Sequence, residues 1–250
     1  MQAYAPSVSV IGPEKDDKVS TSAIAAKSKR AKPRIDVERR AQIGAEKRAR
    51  TRRVVLDAAF ALLGRERGLM TRIEEILDVA DISRGTFYNY FDSMEELFDA
   101  LQYDLNHDFN TVVLQRINDM PFAAERAGFA IRYYLQRARE DSKWAWAMVH
   151  ISAGGIIFGA ETYRQAQITV EEGIAAGEFE LTGPNSGRDI LLGTTLAAMV
   201  TQLRNPPSDT YPASVARHVL RGMGVPKDRV EEIIHRPLPE LGLPSVADAD

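Results

Sequence analysis

Eight consecutive residues, Ser83 to Tyr90, carry a guanidinium (Arg84), two aliphatic hydroxyls (Ser83, Thr86), a carboxamide (Asn89) and two phenols (Tyr88, Tyr90). Such donors and acceptors read nucleic-acid base edges: Arg pairs with guanine, Asn with adenine, and the Thr methyl packs on thymine. Gly85 has no side chain and lets the backbone come close to a groove, while phenolic hydroxyls at the rim suit phosphate oxygens. Arg72, near the start of the preceding helix, is a further phosphate candidate. Nothing comparable points to catalysis. The 250 residues contain no phosphate loop, nucleophile motif or paired metal-type histidines, and no cysteine, so neither enzyme activity, a metal nor a cofactor is expected.

So polar a stretch needs neighbours to hold it. Phe87 and Phe91, four apart, share one face and can anchor a helix that Ser83 caps and that runs to about Tyr90. Two turns are too few for stability in isolation. Thr71 with Glu74, and Ser93 with Glu96, read as capping boxes that open the helices on either side. Upstream, Val55, Ala58, Ala59, Leu62 and Leu63 repeat at helical spacing, predicting a helix from Arg52 to Arg67 that ends before Gly68. Its apolar face would pack on Ile73, Ile76, Leu77 and Phe87, making one small three-helix core.

At this point the sequence resembles the TetR family of bacterial transcriptional regulators. The resemblance is carried by Ala58-Ala59-Phe60, Gly68, Ile76, Ala80, Ile82-Ser83, Gly85-Thr86-Phe87-Tyr88, Tyr90-Phe91, Ser93, Glu95 and Leu97. It implies a helix-turn-helix reader of double-stranded DNA. Two positions depart from the family pattern: Met94 stands where a phosphate-touching Lys is usual, and Asp81 where the turn usually has Gly, although Asp tolerates a left-handed backbone better than most residues.

The net charge of −3 conceals an asymmetry. Lys27 to Arg53 holds twelve Lys and Arg against three acids, net +9. A basic segment beside a reader can neutralise phosphates, and Lys47, Arg48, Arg50, Arg52 and Arg53 adjoin it. Residues 1 to about 35 have no apolar period and read as disordered; Asp36 to Arg53 is helix-friendly except at Gly44, so it either extends the first helix backward or orders only on DNA. The N-terminus lacks the apolar core of an export signal, and the most apolar run, Trp144 to Ala160, is too short and too interrupted to span a membrane. A cytoplasmic protein without membrane contact is expected.

Beyond the reader, a stripe of Leu97, Leu101, Leu105, Phe109, Val112 and Val113 predicts a helix from Ser93 to about Asn118. This resembles the family's connecting helix, which mechanically links the reader to the rest of the chain. Further helices are expected from Pro121 to Arg139, Lys143 to Phe158, Glu161 to Ala176, Arg188 to Leu203 and Pro212 to Met223, with a turn at Gly183-Pro184-Asn185. Tyr103, His107, Phe129, Tyr133, Trp144, Trp146, His150, Phe158 and Tyr163 fall in this bundle and could line a pocket for an apolar or aromatic effector; core packing is the other reading. In the family the last two long helices pair with a second subunit. The resemblance therefore implies a homodimer, with Leu192, Leu196, Met199, Val200, Val215 and Val219 at its interface, unless one chain buries them alone.

The expected fold is all-α: an N-terminal three-helix DNA-binding domain with a helix-turn-helix, joined by a long connecting helix to a C-terminal helical ligand-binding and dimerisation bundle. The expected domains are a basic arm (1–46), the DNA-binding domain (47–100), the regulatory and dimerisation domain (101–236) and a tail (237–250). The function implied is sequence-specific transcription regulation, with repression relieved from a palindromic operator by a small molecule. The alternative is a ligand-independent nucleoid-associated or protein-binding adaptor built on the same DNA-binding module.

Overall fold

The computed structural model describes residues 35–242, with side chains from residue 37. The chain falls into two units, residues 1–44 and 45–250. In the first, residues 35–44 are described and are helical. The expected disorder of residues 1–34 and the arm cations there lie outside the described residues, as does the tail from residue 243.

The first helix, α1, is assigned to Ile35–Leu63, so residues 35–46, which the sequence reading places in an arm, are helical. Ala, Arg, Glu, Gln and Lys dominate this stretch, and their combined propensity outweighs the roughly 1 kcal/mol cost of Gly44. At its other end α1 stops at Leu63 rather than Arg67, and a single 3₁₀ turn, Gly68–Met70, comes next. Gly68 is buried where a Cβ would lie 2.5 Å from the Leu63 carbonyl oxygen and 2.7 Å from His150 Nδ1. Only glycine fits so close a backbone approach.

Helix α2 spans Ile73–Ala80, and its N-cap is Arg72, one residue after the Thr71 expected. The returning carboxylate is Glu75, which accepts from the Arg72 N–H at 2.8 Å; Glu74 pairs with Arg84 instead. This register puts Ile76, Leu77 and Ala80 in the core. Asp81 then turns the chain in the left-handed region (φ 51°), as the sequence reading anticipates for that position. Helix α3 is shorter than expected, a single turn of Arg84–Phe87 continued by turns to Tyr90. Helix α4, Met94–Ile117, opens as its sequence predicts: the Ser93 hydroxyl accepts from the Glu96 N–H at 3.1 Å. The Glu96 carboxylate reaches back one residue further than a capping box requires, to the Asp92 N–H at 2.6 Å.

The remaining helices are α5 (Ala123–Glu140), α6 (Ser142–Ala153), α7 (Gly159–Ala175), α8 (Pro184–Arg204), α9 (Tyr211–Gly222) and α10 (Lys227–His235). Helix α6 ends at Ala153, short of the expected Phe158, which instead adopts φ 59° and donates its N–H to Ser152 Oγ at 3.1 Å. Pro184 is not in a turn but in the first turn of α8, where its missing N–H costs nothing. The described residues contain ten α-helices and no strand, and no helix among them is long and apolar enough to cross a membrane.

Two hydrophobic clusters organise these elements. The smaller joins α1, α2, α3 and the start of α4 through Val55, Leu56, Leu63, Ile76, Phe87, Phe91, Leu97 and Leu101. The larger fills the bundle of α4 to α10. Two helices belong to both. Helix α4 gives Leu97 and Leu101 to the first and Phe109 and Val113 to the second, while α6 gives Ala147 and Ile151 to the first and Trp144, Ala145 and Met148 to the second.

Candidate nucleic-acid interface and internal cavity

Ser83, Asp81 and the paired phenylalanines build the candidate reading surface from local chemistry. Ser83 Oγ accepts from the Thr86 N–H at 3.1 Å, satisfying an amide that opens α3. Phe87 and Phe91 are buried with ring centroids 5.7 Å apart, and Tyr88 packs edge-on against Phe87 at 5.4 Å. The anchor is therefore internal and the polar face external. Arg84, Gly85, Tyr88 and Asn89 are exposed, and Thr86 and Tyr90 are half-buried.

The cations near this face are not equally available. Arg84 is ion-paired with Glu74 across α2 and α3, both side chains more than half exposed, and Arg72 approaches Glu75 at 3.8 Å. Arg53 is held by Asp57 at 2.9 Å and by Asp104 of α4 at 3.5 Å. The expectation that Arg53 serves DNA thus competes with two acids of its own chain. Arg52 is exposed and stacks over Phe91 at 5.3 Å, and Lys47, Arg48 and Arg50 are exposed along α1. Met94, in the position of the family's usual lysine, is half-buried against the small core.

Four helices of the bundle, α4, α5, α7 and α8, surround a cavity of about 50 Å³. Its body is apolar: Val113, Leu114 and Ile117 from α4, Ala127, Ala130 and Ile131 from α5, and Leu191 and Leu192 from α8. At one end sit Asn110, Tyr134 and Thr162. The Tyr134 hydroxyl lies 3.3 Å from Asn106 Oδ1, 3.3 Å from Asn110 Oδ1 and 3.1 Å from Thr162 Oγ1. Burial pushes the Tyr134 phenol up to about 12, partly opposed by its hydrogen bonds to Thr162 and Asn106. Arg126, the one charged residue of the lining among the described residues, donates to the Met120 carbonyl at 2.9 Å and pairs with Glu172.

Of the nine aromatics and histidines expected around an effector, Phe158 alone lines this cavity. Trp144 is buried against Phe109 and donates its indole N–H to the Leu105 carbonyl at 2.9 Å. Phe129 is buried in the core, and Tyr133 donates its hydroxyl to the Pro239 carbonyl at 2.9 Å. Tyr103 is exposed and stacks on His107, which lies 3.1 Å from Glu161. Trp146 and His150 stack where α6 meets the end of α1, with His150 Nδ1 2.9 Å from the Leu63 carbonyl. Tyr163 lies under the Arg188 guanidinium. Large rings fill the core and leave no room; the space opens where alanines stand. One missed lining residue did leave a trace in the sequence: Asn110, with Asn106 four positions before it, interrupts the otherwise apolar Leu105, Phe109, Val113 stripe of α4.

Among the expected interface residues, Leu192, Met199, Val215 and Val219 are buried within their own chain, the reading in which one subunit covers them. Leu196 and Val200 are half-buried. No group of His, Cys, Asp and Glu among the described residues is arranged to hold a metal.

Comparison with known proteins places both parts of the chain in one family. Residues 55–101 match "Bacterial regulatory proteins, tetR family", and residues 123–236 match "Tetracyclin repressor-like, C-terminal domain", together more than half of the chain. No curated protein matches by sequence. Among solved structures, RolR in complex with resorcinol is 27% identical with a TM-score of 0.60, the alignment covering 79% of this chain and 100% of RolR. The fold also recurs in FadR from Bacillus subtilis, solved with stearoyl-CoA (18% identity, TM-score 0.52, 68% of this chain and 96% of FadR). It recurs again in a TetR-family regulator from Agrobacterium tumefaciens (17% identity, TM-score 0.50, 70% and 98%). With its capped reading turn, its connecting helix and both matched regions, this chain belongs to the TetR family of DNA-binding, helix-turn-helix transcription regulators.

Proposed function

We propose that the protein is a homodimeric repressor of a palindromic operator and that a small apolar or aromatic molecule, entering the cavity between α4, α5, α7 and α8, relieves repression without any chemical turnover. The observation that carries this reading is α4 itself, whose one end lines the cavity through Asn110, Val113 and Ile117 and whose other end gives Leu97 and Leu101 to the reader's core. A cavity of about 50 Å³ is smaller than the roughly 150 Å³ that accepts a benzene ring. A ring-sized ligand therefore either protrudes from its open side or displaces its walls, of which α4 is one. A coupling of about 1–3 kcal/mol between cavity and operator suffices for regulation. The resorcinol complex of RolR supports a ligand of this size.

In this reading Arg84, Thr86 and Asn89 face base edges. Tyr88, Tyr90, Arg72 and the α1 cations Lys47, Arg48, Arg50 and Arg52 meet phosphates, and Ser83 and Gly85 shape the turn. The half-buried Leu196 and Val200, with exposed Thr194 and Ala197 and the open side of Gly193, give α8 a small-residue face for a second subunit. A twofold pair of readers matches a twofold site. Selection of bound duplexes from random DNA, followed by titration of the selected site with resorcinol, tests the proposal. One palindrome whose affinity falls on titration is expected. Many unrelated sites, with affinity indifferent to every small molecule tried, would instead indicate the adaptor role.

A further inference from the structure

The polar end of the cavity has a proton inventory that does not close. Asn106 is fixed in orientation, because Nδ2 donates to the Phe158 carbonyl at 2.8 Å and to Thr162 Oγ1 at 2.8 Å, and a carbonyl can only accept. Its Oδ1 faces the Tyr134 hydroxyl, whose single proton can go to this oxygen or to Asn110 Oδ1, each 3.3 Å away. Whichever oxygen takes it, Asn110 Nδ2 is buried with no partner among the described residues. Turning the Asn110 amide over lets Nδ2 donate to Tyr134 and leaves Oδ1 unmatched instead. In both orientations one end of this side chain, 2% exposed and on the cavity wall, awaits a partner.

On the reading that this cavity holds the effector, we infer that the ligand is an uncharged molecule with an apolar body and a hydroxyl group directed at Asn110. A hydroxyl both donates and accepts, so it satisfies either amide orientation; a methyl group satisfies neither. A carboxylate would enter without a counter-charge, since Arg126 is committed to Glu172 and the Met120 carbonyl and Tyr134 stays neutral, its phenol pushed up to about 12. Val113, Leu114, Ile117, Ala130 and Leu191 receive the apolar body.

Titration calorimetry of the full-length protein with phenol, toluene and benzoate tests the class directly. Phenol is expected to bind, toluene about tenfold more weakly, and benzoate to give no saturable heat. In Asn110→Leu, similar in size but without the amide, the phenol preference over toluene is expected to vanish. The inference is overturned if toluene matches phenol on the native protein, if benzoate binds more tightly than phenol, if none of the three binds, or if a folded Asn110→Leu keeps the tenfold preference. The native-protein arm is decisive even where the variant misfolds. Operator affinity is measured separately: the expected ligand ranking with unchanged operator affinity supports the ligand class and refutes the effector role of the cavity.

Discussion

Arg84, the side chain best suited to guanine, is ion-paired with Glu74. Removing that competition should therefore tighten operator binding. The two side chains are 58% and 55% exposed, and an ion pair so open to water is worth about 0.2–1 kcal/mol. Glu74→Gln keeps the size and releases the guanidinium. Operator affinity should then rise by that amount, about 1.4- to fivefold. Lost repulsion between Glu74 and phosphate would add to this gain irrespective of Arg84, so a double-mutant cycle is needed. Fluorescence anisotropy at fixed salt, on the selected operator, compares Glu74→Gln in the native and Arg84→Ala backgrounds. The coupled part of the gain should disappear with Arg84, and Arg84→Ala alone should lose about 1–3 kcal/mol of discrimination at one base pair. The reasoning fails if Glu74→Gln weakens operator binding, or if its effect is the same with and without Arg84.

Other outcomes derive from the packing. Phe87→Ala, at the fully buried anchor of α3, should cost about 3–5 kcal/mol and abolish operator binding; a thermal melt unchanged from the native protein would contradict the anchoring role. Gly68→Ala places a methyl group 2.5 Å from the Leu63 carbonyl oxygen and 2.7 Å from its Cα, both backbone. It should destabilise by about 1–3 kcal/mol, whereas Gly44→Ala, with open space around its Cβ, should raise helicity measured by circular dichroism. Tyr134 ionises near 10 when unfolded but only at about 12 when buried. Between these values the unfolded chain alone loses the proton, so stability contributed by this group falls as pH rises, by about 1.4 kcal/mol per unit. Denaturant melts from pH 9 to 11.5 should show a shallower decline for Tyr134→Phe than for the native chain, and equal slopes would exclude the assignment.

The reader was legible in the sequence because its signals are local. Ser83 caps, Asp81 turns left-handed, and Phe87 and Phe91 anchor through contacts within eleven positions of one another. Even so, local signals did not fix register. Thr71 with Glu74 and Arg72 with Glu75 are equivalent spacings, and the second is realised because Ile76, Leu77 and Ala80 then face the core, with Glu74 pairing with Arg84. Nor did they fix length, since Tyr88 to Tyr90 leave the helix for turns.

Sequence alone determined the helices, since capping, periodicity and the anchor pair all act within a few turns, and its resemblance to the TetR family implied the DNA reader and the connecting helix. Tertiary structure decided where a cavity opens in the bundle and which cations near the reader are ion-paired. The cavity exists because Asn110, Ala130, Thr162 and Leu191, from four separate helices, converge around space that no local period encodes. Arg53 lost its freedom in the same way, to Asp104 on a helix that begins forty-one residues later. Aromatic residues suggested a pocket in the sequence, yet packing committed Phe129, Tyr133 and Trp144 to the core, and of the nine only Phe158 reaches the opening, beside alanines and an unmatched asparagine.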